Sequence, residues 1–153
     1  MYCRFNQKHQ PSFKVRYQKF DFLGFTFKPR IVKAKVESKL RLGFTPAISQ
    51  KNIARITNAL FETSFHRWVH FPISQIARIL NSRIRGWINY YAPFRKSALR
   101  ELFRIVNFRL AKWVRNKYRK FRRRPWMLAF RYLQGIAKSY PNMFVHWQQG
   151  FLP

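Results

Sequence analysis

Acidic residues are nearly absent: Asp21, Glu37, Glu62 and Glu101 are the four acids, set against 32 Lys plus Arg. Phosphoryl transfer on two metal ions needs carboxylates gathered in one place, and acids scattered singly along the chain supply no such cluster. Cysteine is confined to Cys3, which excludes an intramolecular disulfide and a multi-thiolate zinc site and fits a reducing compartment, so the expected location is the cytoplasm. The five glycines, at 24, 43, 86, 135 and 150, stand far apart, which removes any Gly-rich phosphate cradle. No window approaches about 18 consecutive apolar residues. The opening MYCRFNQKHQ lacks the apolar segment of a signal peptide, so neither a membrane span nor a leader is expected.

What is present is apolar mass and positive charge. In 153 residues, 47% are hydrophobic and 19% aromatic, including 17 Phe, far from the composition that leaves chains disordered. A globular chain of this size buries roughly 70% of its unfolded surface, enough for one core. The formal charge is +28. A compact body so charged repels itself, and a polyanionic partner that releases counterions on binding relieves the repulsion. Nucleic acid is the first candidate and an anionic membrane surface the second.

Between Phe13 and Phe44 the apolar residues recur with period two: Phe13, Val15 and Tyr17, then Leu23, Phe25 and Phe27, then Leu40, Leu42 and Phe44. This alternation predicts strands. KFDFLGFTFKPR reads as the strongest, with Phe22, Leu23 and Phe25 in the core, Gly24 allowing a bulge or a close backbone approach, and Pro29 ending it. The period then turns helical. Ser49 caps a helix over 50–62 carrying Ile53, Ile56 and Leu60. Pro72 and Ser74 open a second, with Ile73, Ile76, Ala77, Leu80, Ile84, Trp87, Ile88 and Tyr91 on its apolar side, stopped by Pro93. Ser97 caps a third through Leu102, Phe103, Val106, Leu110, Trp113, Val114 and Phe121, ending in the run RKFRRRP. Pro125 starts a fourth with Trp126, Phe130, Leu133 and Ile136, and the tail NMFVHWQQGFLP packs back on the bundle. The fold class is α+β, mainly α: a short antiparallel β segment followed by a bundle of three to four helices.

The residues able to carry function are mostly cations. In the second helix Ser74, Arg78, Ser82, Arg85 and Asn89 make a polar stripe opposite Ile76, Leu80, Ile84 and Trp87. In the third, Arg100, Arg104, Arg109, Lys112, Arg115 and Lys117 lead into Arg119, Lys120, Arg122, Arg123 and Arg124 with almost no acid to neutralise them. Such rows suit a phosphate backbone, which Arg contacts bidentately and Asn or Ser through neutral hydrogen bonds. Nucleic-acid contact is therefore expected from the 109–124 region and from the Arg78, Arg85 and Asn89 face. Trp87, Tyr91, Phe103 and Trp113 sit at core spacing and are read as packing residues rather than stacking platforms. Glu62, His66 and His70 recur at intervals of four, but Trp68 and Phe71 read as packing residues, Pro72 follows at once and Arg67 repels a cation, so no metal or cofactor is expected. Asp21 reads as half of a structural ion pair and His146 as structural; Cys3 has no base at a recognisable spacing.

The stretches FDFLGFTFKPR, FTPAISQKNIARI, LNSRIRGWINYYAPF, LAKWVRNKYRKFRRRP and PNMFVHW occur in this order, and in that order the chain resembles the C-terminal part of group II intron reverse transcriptases, also called maturases, from about Tyr2 to Gly150. The resemblance implies that 1–46 form the end of a polymerase palm and 47–153 the helical maturase-specific, or thumb, domain. It implies a palm strand at FDFLGF beside the primer end and a thumb that grips template-primer duplex and binds intron RNA to support splicing. Trp87, Ile88 and Tyr91, with Leu80, Ile84 and Trp113, would hold the thumb core, Gly86 would permit close helix packing, and Arg78, Arg85 and Asn89 would face RNA. The fingers and most of the palm, with the Tyr-Ala-Asp-Asp motif that holds Mg2+ in the complete parent enzyme, have no counterpart here, nor do the cysteine pairs of the endonuclease domain. The expectation is thus a truncated, non-catalytic module for intron RNA or RNA/DNA duplex. Three alternatives stay open: the thumb half of a split polymerase completed by a separate fingers-palm polypeptide, a membrane-surface binder, and a pseudogene remnant without present role.

Overall fold

The computed structural model describes residues 19–33 and 40–153; Cys3, Phe13, Val15, Tyr17 and Glu37 lie outside them. KFDFLGFTFKPR is two strands rather than one. β1 (Phe20–Phe22) and β2 (Phe25–Lys33) pair antiparallel across the two-residue turn Leu23–Gly24, and β3 (Leu40–Ile48) completes the sheet in the order β1-β2-β3. Both turn residues have positive φ, 47° at Leu23 and 82° at Gly24, as the tightest hairpin turns require. A leucine in this region costs about 1–2 kcal/mol, and tertiary bonds hold it there. Tyr90 Oη donates to the Leu23 carbonyl at 3.0 Å, and Ser49 N–H donates to the Gly24 carbonyl at 2.9 Å. A Cβ at Gly24 would collide with the Asn52 amide, which itself donates to Tyr91 Oη at 2.8 Å. The close backbone approach expected at this glycine is real, and the turn is pinned between two helices.

The hairpin corrects three expectations. Phe22 and Leu23 are 59% and 69% exposed: Leu23 stands in the turn, and Phe22, although directly opposite the buried Phe25, lies on a strand that is paired on one side only among the described residues. Pro29 lies inside β2, opposite Phe44. The Ser49–Gly24 bond turns the backbone groups of even-numbered β2 residues toward β3, so the donor missing at Pro29 faces the other side, where β1 pairs only as far as Phe20 with Phe27 among the described residues. Asp21 sits opposite Thr26 and accepts that residue's hydroxyl; this cross-strand bond stands where an ion pair was expected.

Ser49 caps α1 (Gln50–Thr63), its Oγ accepting from Asn52 N–H at 3.2 Å. The helix stops at Ser64, which takes φ 46°, and a 3-10 turn (Phe65–Arg67) drives Phe65 fully into the core. α2 (Ile73–Arg95) buries Ile76, Ala77, Leu80, Ile84, Ile88 and Tyr91. Pro93 does not end it: the proline removes only the bond to the carbonyl of Asn89, an exposed residue at the helix surface, two residues before the helix finishes. Ser97 is likewise no cap. It lies in a 3-10 turn (Lys96–Leu99), and its backbone carbonyl accepts from Arg100 N–H as α3 (Arg100–Lys117) begins.

α3 is the axis of the bundle, touching α1, α5 and both 3-10 turns, with Leu102, Phe103, Val106, Leu110 and Val114 fully buried. The Trp113 indole is buried with its N–H donated to the Trp68 carbonyl at 2.9 Å. α3 ends before the basic run, at Tyr118, whose extended backbone lets its ring meet Trp113, Phe121 and Tyr132 edge-on. The run then makes a one-turn α4 (Arg119–Arg122), and α5 (Trp126–Ser139) follows Pro125. The tail returns as expected. α6 (Val145–Gln148) is tied to α2 by Asn81, which donates to the Met143 carbonyl at 2.9 Å and accepts from Val145 N–H at 3.0 Å.

Candidate nucleic-acid interface

Successive residues of a helix turn by about 100°, so Ser74, Arg78, Ser82, Arg85 and Asn89 fall within about a quarter of the α2 circumference. All five are exposed, opposite the buried Ile76, Leu80 and Ile84. Ser82 Oγ is already given to the Ile79 carbonyl at 3.2 Å, which leaves the two arginines, Asn89 and Ser74 as the donors of the row without a partner among the described residues. Arg83, also exposed, lies off the stripe and was missed by a reading based on spacing. Gly86 is exposed and a Cβ there meets nothing within 4 Å, so it does not serve close helix packing. Trp87 is half-buried beside the core.

The 109–124 region divides into two kinds of cation. Arg109 is buried, 8% exposed. Its Nη1 lies 2.9 Å from His66 Nδ1 and its guanidinium stacks over Phe61 at 3.9 Å. Arginine can only donate, so His66 accepts at Nδ1 and is neutral; burial, then Arg109, Lys112 and Arg67, lower its pKa. Arg115 Nη2 donates to the Arg122 carbonyl at 2.8 Å, closing the end of α4, and the guanidinium lies over the Trp126 ring at 4.2 Å. Lys117 Nζ donates to the carbonyls of Val69 and Phe71 at 2.8 and 2.9 Å. These three are therefore committed to the fold, and Lys112 is half-buried. Arg119, Lys120, Arg122, Arg123 and Arg124 are exposed and stand beside the C-terminal end of α3, where a helix favours cations.

Glu62, His66 and His70 do not converge, since α1 ends between the first two and His66 turns inward to Arg109. Among the described residues no three His, Cys, Asp or Glu side chains gather to hold a metal, and no helix is long and apolar enough to cross a membrane. His146 is structural: its Nε2 lies 2.9 Å from Asn107 Oδ1, which also accepts the Trp147 indole at 3.1 Å. An amide oxygen only accepts, so His146 is the neutral Nε2–H form, and burial pushes its pKa down to about 3.

The sequence reading also missed aromatic side chains at the surface. Phe61 and Phe108 are 46% and 45% exposed, and Trp126, expected to face the core, is 37% exposed. Phe108 and Trp126 stack at 4.7 Å between centroids. Trp126 shares the helical spacing of the buried Ala129, Leu133 and Ala137, whereas Phe108 falls on the side of α3 opposite the buried Phe103, Val106 and Leu110, so spacing could have found it.

The model of the group II intron maturase-specific domain matches residues 53–132, from the first core isoleucine of α1 to Tyr132 in α5 and so across both basic regions. Comparison with curated proteins and with solved structures gives no match. With just over half of the chain matched, and with the helical body following a small antiparallel sheet, this protein belongs to the family of the group II intron maturase-specific domain.

Proposed function

We propose that the chain is a non-catalytic RNA-binding module that holds structured intron RNA, or an RNA/DNA duplex, through the α2 stripe and the α4 run. The observation that carries this reading is the set of exposed cations: Arg78 and Arg85 with Asn89 on α2, then Arg119, Lys120 and Arg122 to Arg124. Exposed acids to neutralise them are limited, among the described residues, to Asp21, Glu62 and Glu101. Rigid display matters, because α2 is held along one side by its core residues and at the tail by Asn81, which fixes the spacing of donors along a phosphate backbone. Filter binding with a group II intron RNA and a scrambled RNA of equal length, across a salt series, tests the reading. Affinity is expected to fall steeply with salt and to favour the intron. Equal affinity for both RNAs would reduce the activity to polyanion binding, and no retention at low salt would end it.

A second reading, the thumb half of a polymerase completed by a separate fingers-palm polypeptide, is favoured by the exposed apolar Phe20, Phe22 and Leu23 of the hairpin. Primer extension with and without a co-expressed partner separates the two, and inactivity of every such mixture rejects the second.

A further inference from the structure

α1, α3 and α5 leave a cavity of about 600 Å³ between them, lined by Phe61, Arg104, Phe108, Arg109, Lys112 and Phe130. Its walls are mainly apolar, yet three cations and no acid reach it. Phe108 has the Trp126 indole stacked on it at 4.7 Å and 16°, and that indole carries the Arg115 guanidinium at 4.2 Å. Phe61 has the Arg109 guanidinium against its ring. Arg109 is more than nine-tenths buried, and its Nε has no hydrogen-bond partner among the described residues, an unusual state for a buried donor. A cavity built this way fits poorly with a hydrocarbon, which would strip water from three cations and return nothing. It suits a group that is planar and aromatic at one end and anionic at the other.

We propose that this cavity receives an unpaired base of bound RNA, the base stacking on Phe108 and the adjoining phosphate meeting Arg104 and Lys112. The assignment rests on the RNA-binding reading above and adds a place where a single nucleotide leaves the helix. Sequence-independent stacking on an exposed ring is how proteins hold unpaired bases, and guanidinium groups at the rim take the phosphate. The ladder Arg115, Trp126, Phe108 keeps the stacking ring from turning inward.

The test uses the full chain and two RNA hairpins that differ at one unpaired position, 2-aminopurine in one and an abasic site in the other. The wild type is expected to bind the base-containing hairpin about tenfold more tightly, with quenching of the 2-aminopurine fluorescence. Phe108→Leu, which keeps apolar bulk, removes both the preference and the quenching; Phe108→Trp preserves them; and melting curves show all three proteins folded. Arg104→Gln with Lys112→Gln weakens both hairpins. Equal affinity of the wild type for the two hairpins, or a preference that survives in Phe108→Leu, overturns the base site while leaving RNA binding intact. If instead there is no preference and Phe108→Leu breaks self-association in sedimentation, the cavity is a protein contact and the proposal fails. Binding of neither hairpin removes the RNA-binding reading together with the site.

Discussion

α2 and α3 carry the same kinds of residue at the same helical spacings and use them in opposite ways. α2 is buried along one stripe, so the arginines opposite it stand in solvent. α3 is enclosed on most sides, and it buries even the polar Asn107 and Arg109. A polar side chain on an enclosed helix has to be satisfied within the protein. Asn107 binds the tail, Arg109 binds His66, and Lys117 reaches the carbonyls of Val69 and Phe71. The lesson is that a basic residue on a helix is a candidate ligand for phosphate only where the helix presents a free face. The comparison predicts that substitutions at the enclosed positions of α3 act on folding and those on the free face of α2 on binding.

The largest effect is expected at Asn107. Replacing it by leucine fills the space but leaves His146 Nε2–H, the Trp147 indole N–H and the Phe151 carbonyl without the bonds at 2.9, 3.1 and 3.1 Å that they now make. Each buried group left unpaired costs about 1–3 kcal/mol, so Asn107→Leu is expected to lose about 3 kcal/mol or more in urea unfolding. A loss below about 1 kcal/mol would mean that the tail is not locked to α3 through this side chain.

Next comes the response to acid. His146 is neutral in the folded chain with its pKa near 3, against about 6.5 when unfolded. Between those values the unfolded state binds more protons, so stability is complete above about pH 6.5 and falls as pH drops through the window, by up to about 1.4 kcal/mol per pH unit. His66, lowered by burial and by Arg109, acts in the same direction. With four acids in the chain, carboxylate protonation adds little. His146→Gln, which keeps a donor toward Asn107, is expected to flatten the slope measured by urea unfolding from pH 7 to pH 4.

Much of this contrast was legible in the sequence, and the illegible part has a common cause. The 3.6-residue period located α1, α2, α3 and α5, and Ser49 announced the start of α1, because one apolar stripe and one cap determine these locally. Leu23 and Phe22 were misread because alternation looks the same in one strand and in a hairpin, and the turn is stabilised by Tyr90, Asn52 and Ser49 from elsewhere. Pro93 and Ser97 were misread because a breaker or a cap is decided by what surrounds it. On the candidate interface, the α2 stripe followed from spacing. The internal roles of Arg109, Arg115 and Lys117 did not, since their partners are carbonyls, rings and one histidine, which leave no complementary charge in the sequence. Trp126 gave no signal because a core ring and a surface ring can have the same spacing, whereas Phe108 stands opposite the buried stripe of α3 and was legible from spacing.

Lys117→Met sharpens the comparison at a smaller scale. Its ammonium serves two carbonyls near the surface, and about 1 kcal/mol of stability is expected to go with it, while the salt dependence of RNA binding stays as in the wild type. A change in salt dependence would return Lys117 to the interface. Gly86→Ala, with open space around the new methyl, is expected to raise stability by about 0.5–1 kcal/mol through helix propensity, seen as a higher urea midpoint. A decrease would restore the close-packing role for that glycine.

The smallest effect on folding, and the clearest on binding, belongs to Arg78→Gln with Arg85→Gln. Both side chains are exposed on the free face of α2, where substitutions change stability by no more than about 0.5 kcal/mol. Each arginine that neutralises a phosphate contributes roughly one to the slope of log affinity against log salt. The double variant is therefore expected to melt like the wild type and to bind intron RNA more weakly, with a slope shallower by about two. A variant that melts normally and keeps the wild-type slope would show that α2 presents its arginines to water alone. The interface would then contract to the α4 run, where five exposed cations occupy six consecutive positions from Arg119 to Arg124.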